Sequence, residues 1–273
     1  MQANIHESIL SMLKHAYGLS AEFRDGQYEA IEATLMNKRT LVVQKTGWGK
    51  SLVYFLSTKY NRSLKKGVTL IVSPLLVLME NQITAGKLLE LQCGVLNSTI
   101  KEKEERKNIL FKLKENQFDV FFITPETLFS VEFQAIIGSV NIGLFVIDEC
   151  HCISDWGHDF RIEYSNLFKV INYLPSNVPV LGTTATANNR VVDDLKKQFG
   201  NDVYISRGPL TRDSLHIEIV RAQSKAKRYA WLVKNVPKLP GSGIIYCLTQ
   251  RDCQQLSDYL NLRGILAMPY YSD

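Results

Sequence analysis

The run Leu41-Val42-Val43-Gln44-Lys45-Thr46-Gly47-Trp48-Gly49-Lys50-Ser51 restricts the chain to few folds. An apolar, β-branched stretch stops at a Thr-Gly-x-Gly turn, and Gly49-Lys50-Ser51 leads into the helical pattern Leu52-Val53-Tyr54-Phe55-Leu56. A strand, a glycine turn and a helix start in that order build an anion-sized concavity of backbone N–H groups at a helix N-terminus. A lysine there can reach terminal phosphates, and a serine hydroxyl can hold Mg²⁺. Thr46, Gly47, Trp48, Gly49, Lys50 and Ser51 are therefore candidate phosphate-binding residues, with Lys50 also a catalytic candidate. Two positions are irregular. Gln44 occupies the place of the motif's first glycine. Trp48 replaces a small residue, and because tryptophan disfavours positive φ, that position is expected not to require it.

The pattern around this loop alternates. Strands are predicted at Val68 to Val72, Cys93 to Leu96, Val120 to Ile123, Gly143 to Ile147 and Val178 to Leu181. Helices are predicted at Ile5 to Tyr17, Tyr28 to Asn37, Leu75 to Lys87 and Lys101 to Glu115, the last with a mixed-charge, solvated face. Strands without polar alternation, separated by helices, indicate an α/β fold whose parallel sheet is covered on both faces. The organisation changes near Arg207. An extended piece (Leu215 to Val220), a helix (Lys225 to Val236), a buried strand (Ile244 to Cys247) and a helix (Asp252 to Arg263) suggest a second α/β unit. The expected division is 1–207 for a complete lobe and 208–273 for the start of another.

The totals set wide bounds. A chain of 273 residues accommodates one domain and part of a second, and its net charge of +5 permits nucleic-acid binding without demanding it. Five cysteines, an odd number, and an amino terminus unlike a targeting peptide point to reduced thiols inside a cell. The expected location is cytoplasmic in a bacterium or nuclear in a eukaryote. Cys150-His151-Cys152 invites a zinc reading, but no second ligand pair at finger spacing accompanies it. No apolar run reaches the roughly 18 residues of a membrane span.

A second chemical signal closes the apolar run Leu144-Phe145-Val146-Ile147, where Asp148-Glu149-Cys150-His151 follows. Acids at the carboxyl end of a buried strand sit where ligands bind in open α/β sheets. Asp148 can hold Mg²⁺, and Glu149 can orient or deprotonate an attacking water. Together with the phosphate loop, the pair implies hydrolysis of ATP.

From Asp148 to Arg161 the sequence resembles the DExH box and aromatic-rich loop of RecQ-family DNA helicases. Phe23-Arg24-Asp25-Gly26-Gln27-Tyr28-Glu29-Ala30-Ile31 is similar to that family's adenine-recognition motif, Thr46 to Ser51 to its phosphate loop, and Ser73-Pro74-Leu75 to Gln82 to the motif that follows. Thr124-Pro125-Glu126, Thr184-Ala185-Thr186-Ala187 and Gly243-Ile244-Ile245-Tyr246-Cys247 match further motifs. The resemblance implies a RecA-like lobe followed by an incomplete second one, ATP and Mg²⁺ as cofactors, and single-stranded and duplex DNA as partners. It also implies 3′→5′ unwinding. Arg24 and Gln27 would address adenine, since an amide donates and accepts at once. Trp156, His158, Phe160 and Arg161 interleave stacking surfaces with a cation, the chemistry of single-strand binding without sequence preference. His151 would relay between nucleotide and DNA states. Thr184 and Thr186 would couple nucleotide state to lobe movement, although Thr186 could equally cap a helix.

Departures temper the resemblance. The Gly18–Phe23 loop is one residue longer than usual, and Leu19 stands where an aromatic often covers adenine. Nothing after Gly243 supplies an arginine finger of the Gln-x-x-Arg-x-Gly-Arg type. Such a group contributes roughly 10³–10⁵ in rate, so poor hydrolysis is expected unless another chain donates it. A nucleotide- or DNA-binding module and an RNA-dependent motor remain the alternatives.

Overall fold

The computed structural model describes residues 2–154, 164, 166–200, 202–209 and 215–271. The chain divides into two compact units, Met1–Arg212 and Asp213–Asp273, against an expected change at 207/208.

The first unit is a seven-stranded, all-parallel sheet in the order β3-β4-β2-β5-β6-β1-β7. Its strands are β1 (Thr40–Val43), β2 (Val68–Val72), β3 (Cys93–Leu96), β4 (Val120–Ile123), β5 (Ile142–Ile147), β6 (Val180–Thr184) and β7 (Tyr204–Arg207). The unalternating strands have a direct cause. Leu41 and Val43 point into one apolar cluster and Val42 into the other; Phe145 and Ile147 oppose Leu144 and Val146 in the same way. Successive strand residues face opposite sides, so a sheet covered on both faces needs apolar residues at every position.

Before β1 come α1 (Gln2–Tyr17) and α2 (Gln27–Leu35), and after it α3 (Lys50–Ser63), which contacts both. Next are α4 (Leu76–Leu88), α5 (Lys103–Lys114), α6 (Pro125–Leu128) and α7 (Val131–Ile137). Of its apolar residues α5 buries Leu110 and Leu113, and most of its charges face water, but Arg106 turns inward to pair with Glu132 Oε2 at 2.8 Å. Two further helices, α8 (Leu167–Tyr173) and α9 (Asn189–Phe199), flank β6. Asn188, not Thr186, caps α9: its Oδ1 accepts from the Val191 N–H at 3.0 Å. The edge strand β7 was not foreseen. It is short, its burial is partial, and its Ser206 and Arg207 read as linker.

The second unit contains α10 (Lys225–Asn235) and α11 (Gln250–Asn261). Lys225 Nζ donates to Asp252 Oδ1 at 2.6 Å, and the Tyr229 and Tyr259 rings lie 5.0 Å apart. The buried strand expected at Ile244–Cys247 is not formed. This segment is irregular, with Ile244 80% and Tyr246 91% exposed. A parallel strand needs neighbours for its backbone ladder, and the described residues of this unit include no other strand. No helix among the described residues is long and apolar enough to cross a membrane.

Candidate active site

The two chemical signals meet at the carboxyl ends of β1 and β5, which β6 separates. Past β1, the Gln44 N–H still donates to the Thr184 carbonyl at 3.1 Å, and the chain then turns through Gly47 (φ 83°) and Gly49 (φ 94°) into α3. Lys50 folds over this turn: its Nζ donates to the Gln44 carbonyl at 2.9 Å and lies 3.5 Å from the Lys45 carbonyl. The cation is therefore held over the concavity where phosphate oxygens would sit. Thr46 and Gly47 face solvent, as a ligand-accepting loop requires.

Both irregular positions gain a physical account. Gln44 is 5% exposed, its Nε2 donates to the Ser206 hydroxyl of β7 at 3.4 Å, and its amide fills the space left by Gly208. A glycine here would lose that link between the loop and the sheet edge. Trp48 is 7% exposed, has no positive φ, and packs in the apolar cluster that includes Ala30, Ile31 and Val53. It anchors the tip of the phosphate loop to the core.

The segment before α2 braces the same loop. Gln27, 2% exposed, accepts from the Arg24 N–H through Oε1 at 2.8 Å and donates Nε2 to the Trp48 carbonyl at 2.8 Å. Arg24 donates to the Gly47 carbonyl. Both ends of the Gln27 amide are thus engaged with protein. A Cβ at Gly49 would stand 2.5 Å from Gln27 Nε2 in a left-handed backbone. Gly49→Ala is expected to cost roughly 1–2 kcal/mol from the backbone alone and to displace Gln27. Denaturant melts and nucleotide titration of that variant check both effects.

Beside the loop opens a cavity of about 600 Å³ lined by Arg24, Lys45, Trp48, Tyr204 and Arg207, among others. Three cations and two aromatic rings suit an anionic ligand with a planar base. Leu19 is 88% exposed and stands apart from this lining.

At the end of β5 the two acids are turned into different environments. Asp148 is 5% exposed; Oδ1 accepts from the Thr183 hydroxyl at 2.6 Å and Oδ2 from Gln82 Nε2 at 2.9 Å. Tyr164 donates its hydroxyl to the Asp148 carbonyl at 3.1 Å. Burial raises the Asp148 pKa and the Glu149 charge adds to this, while the Thr183 and Gln82 hydrogen bonds oppose it. A buried carboxylate in that state calls for a cation, and its hard oxygen donors with the Ser51 hydroxyl at the first turn of α3 fit Mg²⁺.

Glu149 takes φ 51° and ψ 43°, a left-handed conformation uncommon outside glycine, before the 3₁₀ turn Cys150–Ile153. Its Oε2 lies 3.2 Å from Nδ1 of His151, which in turn lies 3.0 Å from Thr184 Oγ1. Thr184 Oγ1 also accepts from the Thr186 N–H at 3.2 Å. Adjacent residues of β6 thereby serve the two acids separately, Thr183 reaching Asp148 and Thr184 reaching His151. Thr183 and Gln82 had no assigned role in the sequence; the signal was their place inside runs already marked, Thr183 just before Thr184 and Gln82 ending the motif after β2.

Burial opposes charge on His151, but Cys152, with Sγ 3.8 Å from Nε2, and Glu149 outweigh it and push its pKa up to about 10. A histidine pKa raised above its unfolded value stabilises fully below about 6.5, and this contribution fades as pH rises through the folded value. Ligand-free protein is expected to lose melting temperature between pH 7 and 10.5, and His151→Asn to flatten that slope. Thermal melts across this range provide the check.

Trp156, His158, Phe160 and Arg161 lie outside the described residues. Cys150 is buried in the core against the sheet, and no group of three or more His, Cys, Asp or Glu among the described residues could hold a metal.

A phosphate-binding loop ending one strand, an acid pair ending another and an all-parallel sheet define a P-loop lobe of RecA-like type. Residues 24–195 match the DEAD/DEAH box helicase family, and the chain belongs to it. Its relatives include the ATP-dependent DNA helicase RecQ of Bacillus subtilis, 34% identical over 268 residues, 96% of this chain and 43% of that protein. The RecQ-like DNA helicase BLM of Xenopus laevis is 32% identical over 279 residues, 97% of this chain and 20% of that protein. The chain thus spans less than half the length of these relatives. Among solved structures, the DEAD-box helicase Mss116 bound to ssRNA shares the fold at TM-score 0.71 and 16% identity, over 95% of this chain and 56% of that one.

Proposed function

We propose that this chain is the nucleotide-binding part of a RecQ-like, ATP-dependent 3′→5′ DNA helicase motor, with residues 208–273 beginning its second RecA-like lobe. The observation that carries the reading is the shared grip on loop and acids. Arg24 and Gln27 hold the phosphate loop, Thr183 and Gln82 hold Asp148, and Thr184 joins the His151–Glu149 pair.

The roles follow from position. Lys50 binds the β- and γ-phosphates, and Thr46, Gly47, Trp48 and Gly49 supply the loop backbone. Arg24 lines the base side of the cavity, while Gln27, whose amide is taken up by the Arg24 N–H and the Trp48 carbonyl, braces it from behind rather than meeting the base. Ser51 and Asp148 hold Mg²⁺, which would neutralise phosphate charge when bound. Glu149 takes the proton of the attacking water, and His151 holds the Glu149 carboxylate and passes its state to Thr184 and Thr186. Trp156, His158, Phe160 and Arg161 contact single-stranded DNA.

Binding of a fluorescent ATP analogue with Mg²⁺, followed by anisotropy with single-stranded DNA and RNA of one sequence, tests the proposal. Tight nucleotide binding with DNA preferred over RNA is expected. Trp156→Ala should weaken DNA binding by about tenfold, the loss of one stacked base. Equal or better binding of RNA, or no nucleotide binding, would overturn the reading.

A further inference from the structure

One cation of the cavity takes no part in the grip on the loop. Arg207 ends β7, the edge strand, and lines the cavity with Arg24 and Lys45. Arg24 is tied to the Gly47 carbonyl. The Arg207 side chain is exposed, and it has no hydrogen-bond or ion-pair partner among the described residues. An edge strand often carries a charge that only discourages pairing with another chain. The surroundings of Arg207 are more specific than that role needs.

Its backbone is fixed to the start of the phosphate loop. Arg207 stands opposite Val43 in the parallel register, and the Gly208 N–H donates to the Val43 carbonyl at 3.2 Å. Gln44, which follows Val43, grips both neighbours of Arg207. Its Nε2 donates to the Ser206 hydroxyl at 3.4 Å, and its amide occupies the space that a side chain at Gly208 would need. Gln44 and Ser206 are both buried, so water competes little for this join. A glycine at position 44 could make neither contact. The join fixes the Arg207 backbone beside the loop and leaves its guanidinium to solvent.

Strand order decides which part of a nucleotide this cation meets. Asp148 and Glu149 close β5 and Lys50 follows β1, so the γ-phosphate belongs on the β5 side of the loop. β7 flanks β1 on the opposite side, three strand spacings or about 14 Å from β5. That placement rules out Arg207 as a finger for the transferred phosphate. Arg207 shares the other side of the loop with Arg24, toward the nucleoside, where the α-phosphate is the nearest anion. A guanidinium offers that group a planar fork of donors.

We propose that Arg207 is a nucleotide-binding residue whose guanidinium pairs with the α-phosphate. The inference rests on the reading of the Lys50 loop as the nucleotide site. It goes further in making the edge strand β7 a wall of that site and in giving Gln44 the task of holding it.

Arg207→Ala tests this in the chain as it stands, because the side chain has no partner to lose. Affinities for a fluorescent non-hydrolysable ATP analogue are read by anisotropy with Mg²⁺, and those for ADP and inorganic tripolyphosphate by competition. The expected result is weaker binding of all three by about tenfold, the scale of one charge-assisted hydrogen bond. Melting temperature without ligand should be unchanged. Affinities within about twofold of the parent would leave Arg207 a surface charge of the edge strand and overturn the inference. So would a loss confined to the ATP analogue, which would place the arginine at the γ-phosphate. A loss for both nucleotides that spares tripolyphosphate would place it at the base and equally overturn the assignment. The underlying reading of the loop fails separately, if the parent binds none of the three or if Lys50→Ala leaves their binding intact.

Discussion

In a full-length motor that contains this chain, replacing Lys50 with alanine is expected to remove nucleotide hydrolysis while leaving the fold in place. In the ligand-free chain the Lys50 ammonium is held by the Gln44 and Lys45 carbonyls. Losing those contacts costs about 1 kcal/mol, the net worth of a hydrogen bond that solvent can partly replace. Phosphoryl transfer is affected far more. The lysine is the fixed cation of the loop, and removing one preorganised donor from a developing charge typically costs about 10²–10³ in turnover. Lys50→Arg should recover little, because a planar guanidinium cannot enter a concavity shaped for a compact ammonium. ATP turnover with Mg²⁺ and single-stranded DNA, alongside a denaturant melt, makes the comparison. Ordinary turnover in Lys50→Ala would move the active site elsewhere.

The sequence showed what local chemistry dictates and hid what packing decides. The strands β2 and β4 were legible to the residue because both faces of the sheet are buried there, so the apolar run and the strand coincide; the edge strand β3, buried only at Gly94 and Leu96, still carries an apolar run. The left-handed glycines of the phosphate loop were equally legible, because only glycine adopts that geometry without strain. β7 was not, since an edge strand with one fully buried residue has no apolar run to announce it. The failure at Ile244–Cys247 has the opposite origin. Four apolar and aromatic residues fit a buried strand, but a strand is a property of its neighbours.

The same division holds within the site. That Lys50 follows the turn after β1 and that Asp148 and Glu149 close β5 could be read from motif and order alone. The grip of Thr183 and Gln82 on Asp148 could not, because residues from three elements meet there only after folding. Gln44 and Trp48 looked like defects in a motif and are tertiary contacts: one ties the loop to β7, the other ties it to the core. A rigid backing for a loop that faces solvent is what preorganised phosphate binding requires, since a floppy cradle would lose affinity to ordering.

Glu149→Gln in the same full-length motor is the complementary experiment, expected to stop hydrolysis and spare binding. Glu149 leaves β5 in a left-handed conformation, and its Oε2 lies 3.2 Å from His151 Nδ1. Glutamine keeps the shape and the ability to orient a water, but it cannot take a proton. Loss of a general base lowers turnover by about 10²–10⁴. Because that proton moves only in the transition state, the loss should fall on kcat and leave ATP affinity nearly unchanged. A second readout guards against a merely structural effect. Glu149 is one of the two groups that raise His151 to about 10, so the variant should lower that value, measured by nuclear magnetic resonance titration of the ring. Loss of ATP affinity in step with turnover would assign Glu149 to holding nucleotide. An unmoved His151 titration would show that the pair does not carry the signal from the acids to Thr184.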